Sequence, residues 1–265
     1  MWKVLAMAAA VTAAIHSAQA ADDELVIGTE GAYPPWSIAD ASGNVSGFDA
    51  EVGQLVCEKM GVKCRFVVQA FDGLIPALKA RQIDAIISGM SITNERKKEI
   101  GFSKGYGDLP NFFVVQKTDD LAKIKDWESL IKALADKRVG VQSGTTHARY
   151  INKHLPDVDL KTYDTLDQMQ IDLASGRVDV SFSDLSAADD FLAKPDGSSF
   201  QLIDVPIDSK SDETLGDAVG IGLRKDDTEL KAKIDTALCA AIADGSVAKA
   251  SQTWFKMDIT HPCEP

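Results

Sequence analysis

The chain has 265 residues, 45% of them hydrophobic, and a formal net charge of −12. That length and apolar content suit one large domain or two small ones. An acidic surface of this kind repels nucleic acid and anionic lipid head groups, but says nothing against a small ligand, which senses only the charge around its own site.

Residues 1–20, MWKVLAMAAAVTAAIHSAQA, carry one early lysine, an Ala/Val/Ile-rich run and a final Ala-Gln-Ala. This is the pattern of a secretory signal cleaved after Ala20, and the run is shorter than the roughly 20 residues of a membrane span. Export to the periplasm is expected, with a mature chain starting at Ala21. Removing the leader takes away Lys3 and no acid, so the mature chain is one charge more negative. No cysteine follows the cleavage point, which argues against a lipid anchor there.

ELVIGT (24–29) reads as a strand. TEGAYPPWS (29–37) follows, and its adjacent prolines exclude a helix interior or a central strand, so it reads as a loop. It nevertheless holds Glu30, Tyr33 and Trp36, an acid beside two large aromatics. GFDAEVGQLVCEKMG (47–61) has apolar residues at helical spacing and stops at a glycine. KCRFVVQ (63–69) reads as a strand, FDGLIPALKARQI (71–83) as a helix, DAIISG (84–89) as a short strand and SITNERKKEI (91–100) as the opening of another helix. This alternation predicts an α/β fold with a mostly parallel sheet and helices on both faces.

The rhythm breaks at SKGYGDLPNFFVVQK (103–117), where turn residues lead into an apolar strand with no helix before it. It then resumes. DWESLIKALADK, the strand RVGVQ (138–142), the helix-opening SGTTHARYINKHL, the helix TLDQMQIDLASGR, the strand VDVSFSD (178–184) and the helix LSAADDFLAK follow. GDAVGIGLRKDD (216–227) is a second glycine-rich crossing, and two helices finish the chain. ALKARQIDAIIS (77–88) and DLASGRVDVSFS (172–183) share a helix end, a basic turn, an aspartate and a strand. Two similar lobes are therefore expected, residues 21–110 with 216–265 and residues 111–215. The crossings between them would lie near 107–114 and 216–222. Ligands of open α/β sheets bind beyond the carboxyl ends of the strands, so two facing lobes make a cleft.

Four cysteines, Cys57, Cys64, Cys239 and Cys263, all follow the leader. An even count in an exported chain points to two disulfides, most simply Cys57–Cys64 and Cys239–Cys263. Zinc is disfavoured, because no C-x₂-C pair occurs and neither His147 nor His154 stands near a cysteine.

Small polar residues follow each strand. Gly89, Met90, Ser91, Ile92, Thr93 and then Arg96 follow DAIIS; Ser143, Gly144, Thr145 and Thr146 follow RVGVQ; Asp184 follows VDVSFS. Free N–H groups at a helix start attract anions, so both Ser/Thr turns are candidate carboxylate sites that Arg96 could clamp bidentately. Asp184 would face an ammonium. Each residue also has a plainer reading. Thr93, Thr145, Thr146 and Asp184 suit helix N-caps, and Arg96 suits a solvated helix face. His147 and His154 read as surface residues and Trp36 as packing. No Ser/His/Asp or Cys/His set suggests a nucleophile.

GFDAEVGQLVCEKMGVKC (47–64), FDGLIPALKARQIDAIISGMSITNERKKEIGFS (71–103) and AVGIGLRKDDTELK (218–231) closely resemble the periplasmic lysine/arginine/ornithine- and histidine-binding proteins of ABC importers. TEGAYPPW and VQAFDGLIP are similar to the octopine- and nopaline-binding relatives. The resemblance spans the mature chain and implies a two-lobed Venus-flytrap fold that closes on an amino acid without catalysing a reaction. It implies that Arg96 holds the α-carboxylate with the amides of Ser91 and Thr146, and that Asp184 with Ser91 meets the α-ammonium. Tyr33 and Phe71 would sandwich the aliphatic stem, Glu30 would meet a cationic tip, and Ser88, Gly89, Met90, Gln142 and Thr145 complete the expected site. Arginine, ornithine, lysine or histidine is the expected ligand, with an opine as alternative. An inner-membrane ABC permease is the expected partner, a monomer the expected state, and no cofactor or metal is expected.

Three positions depart from the basic-amino-acid binders. Glu30 stands for an Asp, Gly89 for a Ser, and Gln142 for an apolar residue. Glu30 and Gly89 point to opines, whereas Asp184 points to a free α-amino group. A cyclohexadienyl-type dehydratase on the same fold is the enzyme alternative, with Asp184 as general acid. A soluble sensor that hands its ligand to a membrane receptor is a third.

Overall fold

The computed structural model describes residues 24–263; the expected leader, its cleavage site and Ala21 lie outside them. Strand β1 (Glu24–Thr29) leads into a small three-stranded sheet of β2 (Ala32–Tyr33), β3 (Ser37–Ala39) and β4 (Val45–Ser46). TEGAYPPWS is thus a tight hairpin rather than a plain loop. Its prolines, joined by a cis peptide bond, occupy the turn, where no ladder N–H is required.

Helix α1 (Phe48–Met60) ends at Gly61 in the left-handed conformation, φ 70°, which a glycine adopts at no steric cost. Strand β5 (Lys63–Val68), helix α2 (Leu74–Lys79), strand β6 (Ala85–Ile86), helix α3 (Arg96–Glu99) and strand β7 (Gly101–Gly107) complete the first pass through one lobe. Helix α3 is a single turn, shorter than SITNERKKEI suggests. Ser91 pairs with Val219 and the Ile92 N–H donates to the Ala218 carbonyl, which holds the start of that stretch extended. Gly105 and Gly107 of SKGYGD, read as turn residues, fall instead in β7, an edge strand with irregular register against its neighbour (219–223). Gly105 is required there, because a Cβ would lie 2.8 Å from that of Ala218.

The second lobe runs β8 (Asn111–Gln116), α4 (Trp127–Leu134), β9 (Arg138–Gln142), α5 (Thr146–His154), β10 (Asp159–Tyr163), α6 (Leu166–Ala174), β11 (Val180–Asp184), α7 (Leu185–Ala193) and β12 (Phe200–Leu202). The chain then returns through β13 (Val219–Leu223), α8 (Thr228–Ala243) and α9 (Ser246–Phe255) to the first lobe.

The two five-stranded sheets have matching orders, β5-β1-β6-β13-β7 and β10-β9-β11-β8-β12. In each sheet the first two pairings are parallel and the last two antiparallel, so a single strand, β13 in the first and β8 in the second, runs against the other four. Each sheet is therefore mixed, with four strands running one way and one reversed. The reversed strands, β8 and β13, arrive from the other lobe rather than through a crossover helix and so are free to reverse direction. The shared local pattern has a structural basis. Asp84 accepts a hydrogen bond from the Val26 N–H of β1 (3.2 Å), and Asp179 accepts one from the Arg138 N–H of β9 (2.8 Å).

Helices cover both faces of each sheet. Phe48, Val52, Val56, Ile234 and Leu238 form one core of the first lobe, and Leu74, Leu78, Ile83, Ile86 and Ile100 the other. Phe113, Val139, Tyr150 and Phe182 centre the second lobe. The disulfides Cys57–Cys64 and Cys239–Cys263 form as expected, with Cα–Cα distances of 5.9 and 5.5 Å. No helix among the described residues is long and apolar enough to cross a membrane.

Candidate functional site

A cavity between the lobes is lined from the carboxyl ends of β1, β6, β9 and β11. Eleven of the twelve sequence-predicted residues line it: Glu30, Tyr33, Phe71, Ser88, Gly89, Ser91 and Arg96 from the first lobe, and Gln142, Thr145, Thr146 and Asp184 from the second. Met90 does not. Its side chain is buried with Phe71, Leu74, Ile86 and Ile100, an apolar setting that suits a thioether better than the polar cavity does.

Arg96 is 2% exposed, so it is no solvated helix residue. Its Nη1 donates to the Ser91 carbonyl (2.9 Å), and its Nη2 reaches across the cleft to the Gly144 carbonyl (3.1 Å). The guanidinium lies over the Phe71 ring, 5.5 Å from its centroid, and Nε is buried without a protein partner. Burial, aided by the positive charge of Arg149, pushes its pKa down to about 9. The Thr93 hydroxyl accepts from the Arg96 N–H at 3.2 Å and fixes the start of α3.

Across the cleft, Thr145 caps α5. Its hydroxyl accepts from the Ala148 N–H (3.3 Å) and donates to the Gln142 carbonyl (2.7 Å). Thr146 then opens the helix, placing an N-terminus, whose first N–H groups have no acceptor within the helix, beside the cavity. Asp184 both caps α7 and lines the cavity. Its Oδ1 accepts from the Ala187 N–H (3.0 Å) and the Ser186 hydroxyl (2.6 Å).

The Tyr33 hydroxyl is buried facing the Asp184 carboxylate, and burial together with that carboxylate raises its pKa well above the ordinary value. Glu30, 5% exposed, is held by its own N–H donating to Ser88 Oγ (2.9 Å). Its Oε1 accepts from Gln142 Nε2 of the opposite lobe at 2.5 Å. Burial raises the Glu30 pKa to about 7, with the Gln142 hydrogen bond opposing and Asp72 adding.

Two residues assigned elsewhere by sequence also line the cavity. His147 is buried, not superficial, because the first turn of α5 that carries it faces inward; its adjacency to Thr146 was the available signal. Asn111 Nδ2 donates to the Ile207 carbonyl (3.1 Å), so Asn111 Oδ1 accepts from His147 Nε2 (2.8 Å). Burial, opposed by Asp184 and aided by Arg96, pushes the His147 pKa down to about 4, which keeps the ring neutral. His154, also predicted at the surface, is only half-exposed and bonds to Asp212 at 2.6 Å. Trp36 packs as expected but also borders the cavity. Among the described residues no cluster of His, Cys, Asp and Glu fits a metal ion.

The sequence profile of the bacterial extracellular solute-binding proteins, family 3, matches residues 25–257. The chain belongs to this family. This solute-binding protein is 37% identical over 244 residues to the L-arginine-binding protein of Pseudomonas aeruginosa, covering 91% of each chain. It is 36% identical to the lysine/arginine/ornithine-binding periplasmic protein of Escherichia coli (96% of each). It is 33% identical to the octopine-binding periplasmic protein of Rhizobium meliloti (96% and 97%). An ancestral arginine-binding protein bound to arginine superposes with a TM-score of 0.78 at 34% identity, over 88% of this chain and 98% of that one.

Proposed function

We propose that this solute-binding protein takes up an amino acid with a cationic side chain, arginine first, in the interlobe cavity and delivers it to an inner-membrane ABC permease. One observation carries the reading: Arg96 and Glu30 of the first lobe and Asp184 of the second converge on one cavity that Tyr33, Trp36 and Phe71 also line. Arg96 and the N-terminus of α5 suit an α-carboxylate. Asp184 accepts hydrogen bonds, the disposition of a carboxylate offered to an ammonium rather than of an acid donating a proton, and this favours binding over dehydratase chemistry. Tyr33 and Phe71 suit methylenes, and Glu30 offsets the desolvation of a cationic tip. The names of the arginine- and lysine/arginine/ornithine-binding relatives agree with this reading.

Opines are the weaker ligands. A Cβ at Gly89 would meet the Trp36 ring at 3.5 Å, so the room that glycine offers is taken up by the indole. Because the carboxylate donors come from both halves, the ligand selects the closed form, with the chain segments near 107–114 and 216–222 as hinges. The protein acts as a periplasmic monomer. Calorimetric titration with L-arginine, L-lysine, L-ornithine, L-histidine and octopine, beside L-glutamine as the uncharged control, tests the assignment. Preference for L-glutamine would overturn it.

A further inference from the structure

Trp36 and Ser186 stand 150 residues apart on opposite lobes, yet the indole Nε1–H donates to Ser186 Oγ at 3.0 Å. The hydroxyl in turn donates a hydrogen bond to Asp184 Oδ1 at 2.6 Å, which makes a directional chain from indole to hydroxyl to carboxylate. Both residues are buried.

Trp36 is fixed in the first lobe. Its carbonyl accepts from the Asp49 N–H (2.9 Å), and its ring packs edge-on against Phe48 and Phe255 at centroid distances of 5.7 and 4.9 Å. Two glycines seat the ring. A Cβ would lie 3.5 Å from it at Gly89, in the site, and 3.4 Å from it at Gly107, beside the first crossing. Ser186 belongs to the first turn of α7, in the second lobe. Phenylalanine would pack in the same seat but has no N–H to reach across the cleft.

We propose that Trp36 and Ser186 form a latch that holds the closed lobes together around a bound amino acid and positions Asp184 for the α-ammonium. The bond joins two lobes that separate when the cleft opens, so it belongs to the closed form alone. The Ser186 and Ala187 hydrogen bonds both fall on Asp184 Oδ1, and the carboxylate they orient lines the cavity beside the Tyr33 hydroxyl. The latch acts on the part common to all amino acids, unlike Glu30, which reads the side-chain tip. It rests on the reading of the cavity as an amino-acid site.

The test compares Trp36→Phe, Ser186→Ala and the double variant of the mature chain, with L-arginine and L-lysine as probes in calorimetry and stopped-flow dissociation. Each single variant should bind both probes about five- to tenfold more weakly, the scale of one neutral hydrogen bond lost from one of two states. The loss should appear as faster dissociation, and the double variant should be no worse than either single one. The ligand-free melting temperature of Trp36→Phe should match that of wild type. Wild-type affinity in Trp36→Phe, additive losses in the double variant, or a ligand-free melting temperature that falls in step with affinity would each overturn the latch. If wild type binds L-arginine and the variants bind it equally well, the latch alone fails. If wild type binds neither probe, the amino-acid reading fails and the latch falls with it.

Discussion

Lowering the pH should release a cationic ligand from the cavity through Glu30. The unliganded carboxyl titrates at about 7, because burial disfavours its charge. A cationic tip needs the carboxylate, so binding expels the proton, and affinity is full above the raised pKa and lost as pH falls through it. The apparent Kd should rise about twofold at pH 7 and about a hundredfold at pH 5, or about 2.7 kcal/mol at about 1.36 kcal/mol per pH unit. His147 titrates at about 4 and stays neutral across this range. Asp49 beneath Gly89 is also raised to about 7, so the Glu30→Gln variant serves as the control. That variant should bind L-arginine about 1.5–3 kcal/mol more weakly at about pH 8, the range for a hydrogen bond to a charged group, and should lose the pH dependence. Calorimetry in buffers of different ionisation heat should detect about half a proton released per ligand at pH 7. A flat wild-type profile, or a Glu30→Gln variant with the wild-type slope, would refute the role of Glu30.

Arg96→Ala and Asp184→Ala should each cost at least about 2 kcal/mol of binding, since each leaves a charged ligand group unpaired and desolvated. Asp184→Ala should also lose about 1 kcal/mol of stability as a helix cap, whereas Asp184→Asn should keep the cap and lose the binding; melting curves beside calorimetry separate the two roles. Gly144→Ala should weaken L-arginine binding at least about tenfold. The new Cβ would sit 2.9 Å from that of Asp72 across the cleft, at a φ of +71° that costs about 1–2 kcal/mol for other residues. Gly176→Ala, at the same φ but facing open space, should lower stability and leave affinity intact. Saturating L-arginine should reduce the radius of gyration in small-angle scattering, and no change would contradict closure about the two crossings.

The alternating strands and helices, the cysteine pairing and the duplicated Asp84 and Asp179 junctions were legible because each is set by local pattern. β7 was not, because its glycines weaken the strand signal, and Gly105 and Gly107 answer to close approaches from far along the chain, Ala218 to the one and Ile259 and Trp36 to the other. The cavity residues could be named from position after each strand, but their environments could not. Arg96 sits in NERKKE, which reads as a solvated face, and its burial depends on Phe71 and on Gly144 arriving from the other lobe. Asp184 looked like either a cap or a ligand contact and is placed to serve as both. His147 and the cross-cleft bond of Trp36 depend on partners far along the chain, Asn111 and Ser186, which no local pattern reveals.

Whether the cavity takes a cationic amino acid is tested most directly by a thermal-shift and calorimetric panel of amino acids and opines on the mature chain. At 100 times its Kd, the preferred ligand stabilises the fold by about 2.7 kcal/mol. The account predicts that L-arginine or another side chain with a cationic tip leads the panel and that L-glutamine lags far behind. An uncharged amino acid in first place, with Glu30→Gln leaving that preference unchanged, would contradict it.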